Sequence, residues 1–250
     1  MSNETVDWVD EEPIDEIDNI PKPKILKNLP FYKPQLMNVG NVRYVILGMN
    51  GSGKSAFYGY WLLEKLRKTY KVLIFDVDGE WENIIETLKI EDFKKKTWVR
   101  RVRYFNIGGK KITDPATILE IICGMALQIQ SIVVVVEEAY RLLKSGIDLK
   151  IRFPNFDKML YGGRKFRRGL VICAQSASKL SKDIINQATD MYVFKMNAYE
   201  RENSFKYLGE KVDWDAITQN EFSFWAAKPN KVYKKVALKK LKPLKEKKKQ

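Results

Sequence analysis

The sequence predicts an α/β fold: a mainly parallel β-sheet flanked by helices, built around a phosphate-binding loop and followed by a C-terminal β-hairpin. Three observations predict it. The segment Gly48-Met-Asn-Gly-Ser-Gly-Lys54-Ser55 matches the pattern G-x-x-x-x-G-K-[ST]. Short β-rich runs alternate with helix-forming stretches through the body of the chain. A wholly apolar run, Ile132 to Val136, ends in the acidic pair Glu137-Glu138.

The elements follow in order. Residues 42–47 are apolar enough for a buried strand, and residues 56–68 after the loop favour helix. Residues 71–75 form a second strand. Residues 99–105 read as an edge strand, because Arg100, Arg101 and Arg103 suit a half-exposed position better than a buried one. A helix is expected over 114–130, with Asp114 capping it and Pro115 in its first turn. Strands at 132–136, 170–174 and 191–196 complete the parallel set, and 222–227 with 232–238 around Pro229-Asn230 read as an antiparallel hairpin.

The 250 residues fit one α/β domain with decorated ends: an acidic, proline-containing arm (1–34), an α/β body carrying the glycine-rich loop (35–238) and a basic tail (239–250). Eight acidic and no basic side chains fall in the first 19 residues, and five of the nine prolines lie before residue 35, which argues against a continuous helix there. Ten lysines stand against Glu246 alone from Lys231 to Gln250. The formal charge of +14 is therefore carried by the body and tail, as a polyanionic partner such as nucleic acid would require; solvated charged faces are the competing reading. No apolar run approaches the ~20 residues of a membrane span, and the acidic start argues against a secretory signal. Cys123 and Cys173 sit among apolar neighbours, as buried free thiols of a reducing compartment would. There is no histidine, so a general base must be a carboxylate.

The loop predicts binding of a nucleoside triphosphate, ATP, with Mg²⁺. Gly48, Gly51 and Gly53 allow a tight turn whose N–H groups face phosphate oxygens. Asn50, Ser52 and Ala56 complete the nucleotide-binding set. Lys54 reaches the β/γ-phosphates, and the Ser55 hydroxyl ligates Mg²⁺. Acidic residues at the C-terminal end of a buried strand emerge beside such a loop. Glu137 would hold Mg²⁺ directly or through water, and Glu138 would orient and deprotonate the attacking water. Two glutamates capping the next helix is the alternative. Gln175, at the end of the strand 170–174, could position that water, as glutamine does in other phosphoryl-transfer sites, or bond the local backbone. An arginine of Gly162-Gly163-Arg164-Lys165-Phe166-Arg167-Arg168 could enter a neighbour's site as a finger, or be solvated or touch DNA.

On these motifs the chain resembles the HerA/FtsK superfamily of ring-forming, DNA-pumping ATPases. The resemblance lies in Asp76-Val-Asp-Gly79-Glu80-Trp81, in Glu137-Glu138-Ala139, in Gly163-Arg164-Lys165, in the run from Gln175 to Gln187 and in the strand at Tyr192. It implies a RecA-like P-loop NTPase core, a hexameric homo-oligomeric ring, and ATP hydrolysis between subunits with duplex DNA in the channel. It also implies that Arg164 is the finger acting in trans. Two departures stand out. Glu137-Glu138 replaces the usual Asp-Glu, and only about 40 residues precede the first strand, where cellular HerA proteins have a barrel domain. The stripped core resembles the genome-packaging ATPases of viruses with double-jelly-roll capsids, archaeal ones included. The expected role is a viral packaging motor in the host cytoplasm or associated with the virion, recruited by a capsid or membrane component. A plasmid or conjugative DNA pump, or a HerA-like repair translocase, is the alternative. A P-loop kinase would need an acceptor pocket and lid, a GTPase an Asn-Lys-x-Asp motif that the sequence lacks, and a nucleotide-dependent scaffold no base at Glu138.

Overall fold

The computed structural model describes residues 41–57, 59, 62–208, 212–219, 223–227 and 231–234. The acidic arm and basic tail lie outside the described residues. In chain order the strands are β1 (Arg43–Leu47), β2 (Lys71–Phe75), β3 (Trp98–Val102), β4 (Phe105–Ile107), β5 (Lys110–Ile112), β6 (Ile132–Val136), β7 (Arg168–Ala174), β8 (Asp190–Phe194), β9 (Ser223–Ala226) and β10 (Lys231–Lys234). The helices are α1 (Lys54–Phe57), α2 (Leu63–Leu66), α3 (Pro115–Ala126), α4 (Leu149–Arg152), α5 (Pro154–Gly162), α6 (Lys182–Gln187), α7 (Ala198–Leu208) and α8 (Trp214–Gln219).

Eight strands form one sheet in the order β10-β9-β8-β1-β7-β6-β2-β3. The six from β8 to β3 are parallel, and β9 and β10 add antiparallel at the β8 edge. Burial on both faces explains why the central strands read as continuous apolar runs. In β6, Ile132, Val134 and Val136 enter one core with Ile118, Leu119 and Ile122 of α3, while Val133 and Val135 enter the other with Phe57, Leu63 and Leu66. The strand period of two divides each strand between both cores, and β-branched residues fit that pleated surface.

The sheet order positions the chemistry. β7 follows β6 in the chain but is inserted between β6 and β1. Residues after Ala174 therefore emerge between the loop after β1 and the acids after β6.

Several boundaries differ from expectation. The helix after the loop is α-helical over Lys54–Phe57 and Leu63–Leu66, with a wider π turn at Gly59 and Leu62 between them. α3 ends at Ala126, four residues early; its Asp114 cap accepts from Thr117 N at 2.8 Å as expected. β3 is an edge strand but stops at Val102, and its arginines are buried rather than half-exposed. Arg100 makes a two-pronged bond to Asp92 (2.7 and 2.8 Å), and Arg101 reaches Glu82 at 3.3 Å and Asp76 at 3.6 Å. Burial raises the Asp92 pKa, but Arg100, the Lys89 backbone N–H and Lys95 together outweigh it and hold the carboxyl at about 2. Residues 105–112 form a separate small hairpin, β4–β5, that the sequence reading did not anticipate.

Candidate active site

The loop after β1 is pinned at both sides: Gly48 N donates to Ala174 O at 3.1 Å and Met49 N to Lys195 O at 2.9 Å. Gly48 has φ +152°, and a Cβ there would lie 2.6 Å from the Phe194 Cβ, so the turn requires glycine. Lys54 is buried (7% exposed), and its ammonium donates to the loop carbonyls of Gly48 and Met49. Burial lowers its pKa, opposed by the negative charges of Glu138, Glu80 and Glu137. The Ser52 hydroxyl is buried without a hydrogen-bond partner among the described residues. The loop is thus a bent backbone holding a desolvated cation, a shape and charge suited to phosphate oxygens.

A cavity of about 350 Å³ opens over the loop. Asn50, Gly51, Gly53, Lys54 and Ser55 line one side; Asp78, Glu80, Glu137 and Glu138 line the other. Gly48, Ser52 and Ala56 are not part of the lining; Gly48 and Ser52 lie in the turn itself, and Ala56 in the first turn of α1.

Glu137 is 7% exposed and follows β6 directly. Burial, reinforced by Glu138 and opposed by Lys54, pushes its pKa up to about 8. The Trp81 indole N–H donates to its Oε2 at 2.8 Å. Trp81 is in turn anchored through its backbone N–H, 3.3 Å from Asp76 Oδ2 at the end of β2. Glu138 adopts the left-handed conformation (φ 46°, ψ 37°), which turns the chain sharply where the strand ends. Its Oε2 lies 3.4 Å from Gln175 Nε2, which also reaches Tyr140 Oη at 3.2 Å and Asn50 Oδ1 at 3.4 Å. Gln175 therefore bridges Glu138 after β6 and Asn50 of the phosphate loop.

Arg164 is not brought to this site. It is exposed in a tight turn over Gly163–Phe166, before the first residue of β7. The seven residues of β7 span ~23 Å at 3.3 Å per residue, and the cavity lies at their far end. Arg164 cannot serve its own pocket. Behind it Arg43 is buried and donates to Leu160 O at 2.7 Å and Asn41 Oδ1 at 2.8 Å, tying the end of α5 to β1.

Trp81, Tyr140 and the Arg141–Asp78 pair (2.7 Å) were not assigned roles from sequence. The signal in the sequence is that Asp76, Asp78 and Trp81 belong to the motif after β2, whose contacts depend on β2 lying beside β6.

Among the described residues no helix is long and apolar enough to cross a membrane. No curated protein matches the chain in sequence. Among solved structures, the genome-packaging NTPase B204 of Sulfolobus turreted icosahedral virus 2 in complex with ATPγS is similar over 80% of this chain and 100% of its own, with TM-score 0.61 and 18% identity. The conjugation coupling protein TcpA of pCW3 is similar over 82% of this chain and 67% of its own (TM-score 0.50, 16% identity). EssC ATPases 2 and 3 from Geobacillus thermodenitrificans are similar over 82% of this chain and 43% of theirs (TM-score 0.51, 14% identity). These likenesses agree with the RecA-like P-loop core. Residues 42–192 match the family described as the central domain of helicase HerA, the span that carries the loop, the acidic pair and Gln175; the chain belongs to that family and is a P-loop ATPase of the HerA/FtsK type.

Proposed function

We propose that this ATPase is a DNA translocase acting as a homo-oligomeric, hexameric ring, and that its work is packaging a viral genome. The observation that carries the ring is the position of Arg164. A complete set of loop, acids and glutamine stands at one end of the sheet, while the expected finger stands at the other, exposed and without an acidic partner among the described residues. A neighbouring subunit would complete the site. The packaging role is supported by B204, a genome-packaging NTPase whose whole length this chain covers. TcpA, a conjugation coupling protein, supports the second reading, a conjugative or plasmid DNA pump. The packaging reading places the protein in the host cytoplasm or on the virion, with a capsid or membrane component as recruiting partner.

The chemistry follows from the residues. Lys54 and the loop N–H groups bind the triphosphate and neutralise it. Mg²⁺ fits the cavity, because the half-buried Ser55 hydroxyl and the buried Glu137 carboxyl both line it and Glu137 has no ion-pair partner among the described residues. When bound, the metal supplies Lewis-acid stabilisation of charge on the β/γ-phosphates. Glu138 accepts a proton from the attacking water, and Gln175 holds Glu138 and that water in register. Arg164 of a neighbouring subunit would stabilise charge on the transferring phosphoryl group, a contribution of ~10³–10⁵ in rate in other systems.

The test is steady-state ATP hydrolysis with and without long duplex DNA at low salt, with Glu138→Gln as the blank. Stimulation by duplex is expected, with nucleotide binding retained and turnover lowered by ~10²–10⁴ in the blank. Hydrolysis indifferent to nucleic acid would remove the translocase reading, and rapid turnover by Glu138→Gln would remove Glu138 as base.

A further inference from the structure

Resting on the translocase reading, we propose that the β4–β5 hairpin grips the sugar–phosphate backbone of duplex DNA. β3 ends at Val102, at the same C-terminal end of the parallel strands as the phosphate loop, and the chain runs from there through Arg103 and Tyr104 into the hairpin. Three residues on each strand pair antiparallel, Asn106 facing Lys111 and Ile107 facing Lys110. Gly108 (φ +57°) and Gly109 (φ +78°) make a two-residue turn with positive φ at both positions, the geometry that matches strand twist in a tight hairpin. Nothing lies within 4 Å of where a Cβ would stand on either glycine, so the tip projects into open space.

The hairpin is rooted on the core by Phe105 and Ile112 at its base, and its remaining residues do not serve the core. Asn106, Ile107, Lys110 and Lys111 are exposed, and the small sheet is separate from the main one. Nor is its charge neutralised. Residues 103–113 contain Arg103, Lys110 and Lys111 and no acid. Neither lysine has an ion-pair partner among the described residues, and Arg103 meets Glu82 only at 3.9 Å. Asp114, the next acid along the chain, is turned to Thr117 of α3. Lys111 Nζ stands 4.3 Å above the half-exposed Tyr104 ring, which holds the ammonium outward on a rigid platform. Beside it a cavity of about 410 Å³ is lined by the exposed Arg103, Lys111 and Thr113 together with the apolar Phe75, Val77 and Ile118. Exposed cations beside apolar lining suit a phosphodiester with its sugar. A two-stranded ribbon also fits the major groove of B-form DNA, where phosphate contacts from lysine fix position without reading sequence. A motor moving along any sequence needs that kind of contact.

The experiment compares the wild-type full chain with Lys110→Gln/Lys111→Gln and with a control, Lys144→Gln/Lys150→Gln, at exposed lysines elsewhere. Affinity for a fluorescent 30-base-pair duplex is followed by anisotropy from 50 to 200 mM salt, and hydrolysis is measured with and without duplex. At ~0.9 units of slope per phosphate contact, losing two lysines flattens the plot of log affinity against log salt by about 2. The wild type should then lose about tenfold more affinity across that range than the hairpin variant. Hydrolysis without DNA is expected to be unchanged, stimulation by DNA lost, and Lys110→Arg/Lys111→Arg to restore both slope and stimulation. An unchanged slope in the hairpin variant, or an equal loss in the control, overturns the hairpin assignment while leaving the translocase reading intact. A wild-type protein with no affinity for duplex and no stimulation overturns that reading itself.

Discussion

Replacing Glu137 by glutamine should stabilise the nucleotide-free protein, and by a margin that grows with pH. Glutamine keeps the shape and can still accept from the Trp81 indole, so packing is preserved. What changes is titration. The Glu137 carboxyl ionises at about 8 in the folded chain against an ordinary 4.5. Between those values the unfolded chain has released this proton and the folded chain keeps it. Folding thus takes up a proton, and stability falls as pH rises, by ~1.4 kcal/mol per unit. The contribution is greatest below the unfolded value, declines across the window, and is flat again above the folded value. From pH 6 to pH 8 the wild type should lose about 2–3 kcal/mol relative to Glu137→Gln. Denaturant unfolding of both proteins at pH 6, 7 and 8 in chelator, without nucleotide, isolates the difference, because every other titrating group largely cancels. Glu138→Gln in the wild-type background should lower the Glu137 pKa by removing the like charge, and so narrow the window from its upper end. A stability margin that is constant from pH 6 to 8 would refute the reasoning, since a carboxylate already ionised at pH 6 produces that result.

Two further outcomes are expected. Lys54→Ala should abolish ATP binding measured by calorimetry, because it removes the buried cation of the loop; retained micromolar affinity would show that backbone N–H groups alone suffice. Arg164→Ala should leave ATP binding intact and lower hydrolysis only in the assembled protein. Mixtures with wild type should lose activity in proportion to mixed interfaces, and equal loss at monomeric dilution would remove the trans assignment.

The parts of the site that sequence made legible are those set by contiguous residues. The loop announces itself because glycine spacing and lysine must occur together on one short segment, and β6 because a strand buried on both faces has no polar position until it ends. β3 lies at the sheet edge as expected, but the burial of its arginines is not legible, for the complementary reason. Arg100 and Arg101 look like solvent residues when read alone, but their counter-charges, Asp92, Glu82 and Asp76, come from segments that fold back against β3. Two buried cations are tolerable only when such partners satisfy them, and a linear pattern does not display those partners. The β4–β5 hairpin was missed because three-residue strands carry too few alternations to show a period. Gln175 shows the intermediate case. Its place at a strand end was readable, yet its contact with Glu138 depends on β7 entering the sheet between β1 and β6. That insertion also bears on the ring proposed above. The same strand that delivers Gln175 to the pocket at its C-terminal end carries Arg164 ahead of its N-terminal end, so in such a ring one strand would face two nucleotide sites. Hydrolysis at one end of β7 would then be felt at the other without any long conformational path, as coupling between neighbouring subunits of the proposed motor requires.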